Sequence, residues 1–258
     1  MFTQDVISSE NWRSMVTLYT QKDLTYQTDI LPALSGITNR VRGAGKYYGG
    51  LWERSLPYDL LWFPTVASSS SSSEVALPTL DYIAPSFLWA SLKGSISFVN
   101  ITQTTREFDK TFAIKQISLN PEGEDPLGRL SDANLILEAP TLTAKFVCNF
   151  DSPMAADFFV KDFAADRKCL WAVLELEIGG HYIFHPDYRH DLECNDLICL
   201  QLFAHNDPKE QRCYALVLSP RSSEPPEISG TPLQRIGIIA SLEKWQFNPK
   251  LVERIWIE

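Results

Sequence analysis

Hydrophobic positions near the start of the chain recur at helical spacing. Trp12, Met15, Val16 and Tyr19 fall at i, i+3, i+4 and i+7, which stacks them on one helix face, and Ser8 or Ser9 is the residue type that caps such a start. A second stripe, Ile30, Leu34, Ile37 and Val41, predicts another helix, with Asp29 as cap, Pro32 in the first turn and Gly43 as stop. Gly49 to Trp62 reads as a third helix, interrupted at Pro57. The serine run Ser68 to Ser73 has no means of burying itself and predicts a flexible loop.

Beyond Ala84 the pattern changes to short runs of β-branched and aromatic residues separated by Gly, Pro, Asn and Asp. Strands are expected near 95–100, 113–119, 135–137, 141–148, 170–178, 182–184, 197–204, 214–218 and 235–241. The strict alternation of Leu174-Glu175-Leu176-Glu177-Ile178 implies one wet and one buried face, as in an antiparallel sheet. Gly179-Gly180 reads as a tight turn. At the end, Asn248 capping Pro249, with Leu251, Val252 and Ile255 behind it, predicts a closing helix. No internal repeat is visible.

The expected fold is α+β and mostly β: an antiparallel β sandwich or distorted barrel with an N-terminal helical cap. The helices are too short to be stable alone and need the sheet to cover their apolar faces, so residues 1–258 read as a single domain. Within it, 1–66 form the helical cap, 67–83 the flexible Ser-rich loop and 84–258 the β-rich core.

Composition narrows the partners. With 45% hydrophobic and 12% aromatic residues, 258 residues can bury a substantial core. A balance of 32 Asp+Glu against 23 Lys+Arg gives a net charge of -9, which opposes binding to phosphate backbones, so nucleic acid is not an expected partner. No stretch approaches the roughly twenty apolar residues of a membrane span, and Met1-Phe2-Thr3-Gln4-Asp5 lacks the basic start of a signal peptide. A cytoplasmic protein with no membrane span is expected. Cys148, Cys169, Cys194, Cys199 and Cys213 contain no C-x-x-C pair, so reduced, mostly buried thiols are expected rather than a disulfide framework.

Six ordered pieces of the first ninety residues carry a family signature: Trp12, Tyr19-Thr20, Leu24-Thr25-Tyr26, the helix Asp29 to Gly36, Gly50-Leu51-Trp52 with Leu60-Leu61-Trp62, and Ala84-Pro85-Ser86-Phe87-Leu88-Trp89-Ala90-Ser91. Together they resemble the C-terminal region of fungal heterokaryon-incompatibility (HET) proteins, without the HET domain itself. The likeness returns weakly at Arg235-Ile236-Gly237, which is similar to an Arg-Ile-Gly that closes many of those chains. Phe87 departs from it, standing where a Trp is usual. Lacking the HET domain, such a chain is expected to act alone or through a partner.

The aromatic motifs read first as packing, since each large buried side chain can stabilise a fold by roughly 1.5 to 3 kcal/mol. The functional alternative makes Trp52, Trp62, Trp89, Trp171 and Tyr182 the walls of a substrate cavity, where flat rings would suit a polycyclic or polyene ligand.

Candidate chemistry concentrates in His181-Tyr182-Ile183-Phe184-His185-Pro186-Asp187-Tyr188-Arg189-His190-Asp191. As a metal site the cluster is weak: His181 and His185 share a strand face, Pro186 bends the path to His190, and no His-Glu-x-x-His pattern is present. As a source of proton donors it is better, with His185, Tyr188 and His190 as candidate catalytic groups and Asp187 or Asp191 able to orient an imidazole. A polar hairpin loop beside a sheet explains the same residues. There is no Gly-x-Ser-x-Gly elbow, no complete P-loop at Gly43-Ala44-Gly45-Lys46 and no dinucleotide fingerprint, so neither hydrolase chemistry nor a cofactor or metal is expected.

Two functions remain. Free-standing HET-like members recruited to fungal secondary metabolism imply a cofactor-independent cyclase: a pericyclase of the Diels-Alder type acting on a hydrophobic terpenoid or polyketide intermediate. Such a reaction needs a shaped apolar pocket and one hydrogen-bond donor. The alternative is a non-enzymatic protein-recognition module derived from a heterokaryon-incompatibility protein. The sequence leaves oligomeric state open.

Overall fold

Ser8 is extended and its hydroxyl accepts the Asn11 amide at 3.2 Å, so the first helix, α1 (Ser9–Thr20), begins where its cap allows. Trp12 and Val16 are buried and Met15 and Tyr19 pack beside them, as the stripe requires. The computed structural model describes residues 8–22, 24–38, 40–41, 44–65, 77–79, 81–100, 112–149, 172–187, 196–204, 212–220, 232–243, 247–248 and 252–258. The serine run Ser68 to Ser73, Gly43, Trp171, Tyr188 and His190 lie outside the described residues.

The second helix, α2 (Pro32–Thr38), starts later than expected. Asp29 belongs to a 3-10 turn (Gln27–Asp29) rather than capping α2, and Pro32 opens the helix. The third predicted helix is corrected more deeply. Gly49 and Gly50 have φ of 56° and 105°, values an L side chain rarely adopts, and they reverse the chain between β1 (Tyr47–Tyr48) and β2 (Leu51–Trp52). A short 3-10 turn (Glu53–Ser55) leads into α3 (Leu56–Asp59). Pro57 sits in the first turn of α3, where its missing N–H costs nothing, so it starts a helix instead of interrupting one. Then come β3 (Trp62–Pro64), β4 (Leu77–Pro78), a 3-10 turn (Trp89–Ser91), β5 (Leu92–Lys93) and β6 (Ile96–Phe98), with β3 on β6 and β4 on β5. The helical cap is therefore a mixed layer of short helices and two-stranded ribbons.

The rest of the described chain is one eight-stranded sheet: β7 (Ala113–Pro121), β8 (Leu130–Asn149), β9 (Ala172–Leu176), β10 (His181–Pro186), β11 (Leu197–Ala204), β12 (Arg212–Pro220), β13 (Leu233–Glu243) and β14 (Val252–Ile257). All pairings are antiparallel except the single parallel contact of β13 with β14. The path β10-β9-β8-β11-β12-β13-β14 curls back on itself, because β10 also pairs with β13 and β8 with β14. Gly237 makes the first closure possible: a Cβ there would lie 2.3 Å from the His185 carbonyl oxygen.

Two sequence expectations change here. The separate strands near 135–137 and 141–148 are one strand, β8, running through Pro140. Its neighbours are β7 and β14 before that residue and β11 and β9 after it, so the proline falls at the handover. The closing helix is instead the strand β14. Ile255 and Ile257 are buried opposite Leu137 and Leu135, while Val252, Arg254 and Trp256 face outward, a period of two that helical spacing does not produce.

Strands β11 and β12 are buried on both faces. Ile198, Leu200, Leu216 and Leu218 join a core shared with Trp12, Trp62 and Trp89 of the N-terminal layer, whereas Leu197, Cys199, Ala215 and Val217 face a second core with Leu174 and Phe184. That explains their near-continuous apolar sequence. Among the described residues, no helix is long and apolar enough to cross a membrane.

Candidate functional site

Arg235 stands alone as a charge in the otherwise apolar start of β13 and turns toward the N-terminal layer. Its guanidinium carbon lies 3.4 Å from the centre of the Trp62 ring, a stacking contact that fixes the plane of the fork. Nη2 donates to Asp187 Oδ1 at 3.0 Å and also to the Trp62 carbonyl oxygen. The Arg235 amide donates to Ser86 Oγ at 2.8 Å, and that hydroxyl in turn donates to the Glu258 carbonyl. Asp187 is held by its own amide, which donates to the Ile236 carbonyl at 2.8 Å. Five segments distant in sequence are thus linked through Arg235, two of them meeting its side chain and two reached through its amide.

Arg235, Asp187 and Trp62 are buried, and beside them the His185 ring lies 5.1 Å from Phe63, both rings half-buried. Burial pushes the Asp187 carboxyl up to about 7 against the pull of the Arg235 cation, and pushes Arg235 down to about 10. The guanidinium therefore remains protonated at neutral pH. Among the described residues, Nε and Nη1 of Arg235 have no hydrogen-bond partner. A sealed cation with unspent N–H groups can donate to a carbonyl or anionic oxygen in surroundings where such a bond is worth more than in water.

Of the residues expected from the sequence, the structure brings Trp62 and His185 into this corner. Trp62 is packed solid, with its Nε1 donating to the Phe87 carbonyl at 3.1 Å. The backbone supplies that acceptor, so the contact does not depend on the side chain at position 87. Trp52 and Trp89 lie in the same core but away from this corner, around the Gly50 carbonyl. There, Nε1 of Trp12 and of Trp89 both donate to the Gly50 carbonyl, at 2.9 and 3.4 Å, and Trp52 meets Trp12 edge to face. Trp62 and Trp89 are 0% exposed and Trp52 5%, so packing is what these three rings do in the structure. Tyr182 is not brought to the corner: alternation along β10 places it with Phe184 on the face opposite His185, against the second core. Trp171, Tyr188 and His190 are outside the described residues. His181 stands exposed at the start of β10, about 13 Å along the strand from His185, too far to share an ion with it. Among the described residues no three His, Cys, Asp or Glu side chains gather as a metal would require. Cys148, Cys199 and Cys213 are buried thiols, and burial pushes Cys199 up to about 12.

A second buried ion pair lies in the N-terminal layer. Asp59 accepts from Arg13 Nη1 at 3.0 Å, from the Ser55 hydroxyl at 2.7 Å and from the Trp52 amide at 3.2 Å. Burial raises its carboxyl to about 6.

Sequence reasoning did not name Arg235, Ser86 or Asp59 as site residues. For Arg235 the signal existed: a lone charge inside Leu233 to Ile239, heading the Arg235-Ile236-Gly237 motif, is a buried charge that needs partners. Compared with known protein families, curated proteins and solved structures, the chain finds no match in any of the three.

Proposed function

We propose that this chain is a cofactor-independent cyclase of the Diels-Alder type, acting on a hydrophobic terpenoid or polyketide intermediate, with its donor at the Arg235 corner. The observation that carries the reading is the buried guanidinium: Asp187 and Trp62 hold it rigid, yet Nε and Nη1 have no hydrogen-bond partner among the described residues. A cycloaddition asks for restraint of a folded substrate and for one donor to polarise an activating carbonyl. Arg235 would supply the donor, and the half-buried Phe63 and His185 rings would meet the substrate. Donation that strengthens by about 4 kcal/mol toward the transition state would accelerate the reaction roughly a thousandfold. The resemblance of the N-terminal motifs to the C-terminal region of HET proteins supports the same class.

The test is incubation of the purified protein with reactive linear and monocyclic triene precursors, followed by chiral product analysis. Acceleration with one isomer enriched is expected. An unchanged rate and isomer ratio across terpenoid and polyketide trienes would remove the reading.

One observation favours the second reading, a non-enzymatic protein-recognition module. On the outer face of β7, β8 and β14, Trp256 is 39% exposed beside Ile136 and Val252 is 40% exposed beside Pro140, and between them stand Arg254, Glu138 and Lys115, a mixed apolar and charged strip on a rigid sheet. If this strip is the working surface, Trp256→Glu abolishes partner capture and leaves any turnover untouched.

A further inference from the structure

The N-terminal layer contains a second place where buried donors go unused, built from none of the residues of the Arg235 corner. Trp12 of α1, Tyr47 of β1 and Trp52 of β2 meet edge to face around the Gly49-Gly50 turn, with ring centres 5.0 Å apart for Tyr47 and Trp52, 5.5 Å for Trp12 and Trp52, and 5.9 Å for Trp12 and Tyr47. The indole N–H of Trp12 is spent on the Gly50 carbonyl. Trp52 Nε1 and Tyr47 Oη are buried and have no hydrogen-bond partner among the described residues. The Gly50 backbone lies near enough to offset part of the upward shift that burial imposes on the Tyr47 hydroxyl, without completing a bond to it. That hydroxyl therefore stays a neutral O–H donor throughout the working pH range.

The corner is held in place from behind. The Trp52 backbone is fixed on Asp59, which Arg13 and Ser55 fix in turn, and the buried Trp52 ring is packed edge to face against Trp12 and Tyr47, which limits its rotation toward another partner. Trp52 is 5% exposed and Tyr47 half-buried, and both donor atoms are covered. Leaving two adjacent donors unmade in an apolar setting costs about 1–3 kcal/mol each, a cost that an arriving acceptor removes.

We propose that the Trp12–Tyr47–Trp52 corner is a binding site for an uncharged apolar molecule bearing a carbonyl oxygen, such as a ketone, ester or quinone. Flat rings supply the walls, and Trp52 Nε1–H and Tyr47 Oη–H bind the oxygen. Because both donors are neutral, the site selects a carbonyl over a carboxylate, which would arrive with its own desolvation cost. Nothing here requires that the molecule react, so the inference stands apart from the cyclase reading.

The test uses two probes of nearly equal shape, acetophenone and ethylbenzene, titrated into protein carrying 15N-labelled indoles. Acetophenone should shift the Trp52 indole N–H resonance saturably and bind about tenfold tighter than ethylbenzene, the equivalent of one hydrogen bond of about 1.4 kcal/mol. Trp52→Phe and Tyr47→Phe keep a ring and remove one donor each, and each should cut that preference to threefold or less. Should Trp52→Phe fail to fold, the near-isosteric Tyr47→Phe carries the test. Equal affinity for the two probes, an unmoved Trp52 resonance, or an undiminished preference in Tyr47→Phe would overturn the proposal.

Discussion

Among the described residues two Arg–Asp pairs are buried, and they are finished differently. In the N-terminal layer, Asp59 collects Arg13, Ser55 and the Trp52 amide, so both of its oxygens are occupied. At the junction with the sheet, Arg235 is the more deeply buried of the two arginines, yet among the described residues its guanidinium hydrogen-bonds through Nη2 alone, with Asp187 and the Trp62 carbonyl. A pair that serves the fold alone gains by satisfying every group, since an unmade bond at a buried donor costs more than a made one returns. The contrast marks the Asp59 pair as structural and the Arg235 pair as a structural knot with donors to spare.

The largest effect should come from cutting the knot. Arg235→Met leaves Asp187 buried without its cation and should lower unfolding free energy in urea by about 3–5 kcal/mol. Arg13→Met should cost less, about 1–3 kcal/mol, because Asp59 keeps two donors. Equal losses would break the contrast. Replacing both members sharpens it: Asp187→Leu with Arg235→Met should recover about 2 kcal/mol of the single loss. Asp59→Leu with Arg13→Met should recover little, since the Trp52 amide and Ser55 are then stranded.

Protonation separates the pairs by pH. Both carboxyls are raised above their unfolded values, so each folded group holds a proton that the unfolded chain has already released. Their contribution to stability is fully present below about pH 4 and is lost as pH rises, through about 6 for Asp59 and about 7 for Asp187. Stability measured against pH should therefore flatten by roughly 3 kcal/mol in Asp59→Asn and roughly 4 kcal/mol in Asp187→Asn, with the Asp187 effect reaching a unit closer to neutrality. The smallest expected effects are at the serines. Ser86 both accepts from the Arg235 amide and donates to Glu258, so Ser86→Ala should cost about 2 kcal/mol. Ser55→Ala, which removes a single bond to Asp59, should cost about 1 kcal/mol.

Local signals were readable where one physical rule decides. The Ser8 cap and the Trp12 to Tyr19 stripe specify α1, and 197–204 reads as a strand because it is a short, nearly continuous apolar run. Failures came where tertiary contacts override a weak pattern. Leu251, Val252 and Ile255 mimic helical spacing, but Ile255 and Ile257 are claimed by Leu137 and Leu135 of β8. Pro57 reads as a break and 135–137 and 141–148 as separate strands, yet the proline starts a helix and the two runs are one strand that changes neighbours at Pro140. At the site, Trp62 and His185 could be picked out by residue type. Arg235 could not be tied to Asp187 or Ser86, because partners 48 and 149 residues away leave no local trace.

Arg235→Lys is the most direct probe of the central claim, because lysine keeps the charge opposite Asp187 and loses the guanidinium fork. With the variant shown to be folded by its urea midpoint, its cyclisation rate and isomer ratio on an accepted triene are compared with those of the unaltered chain. The account predicts at least a tenfold loss of rate and a product ratio drifting toward the uncatalysed mixture. A folded Arg235→Lys protein that keeps both the rate and the isomer ratio would contradict it.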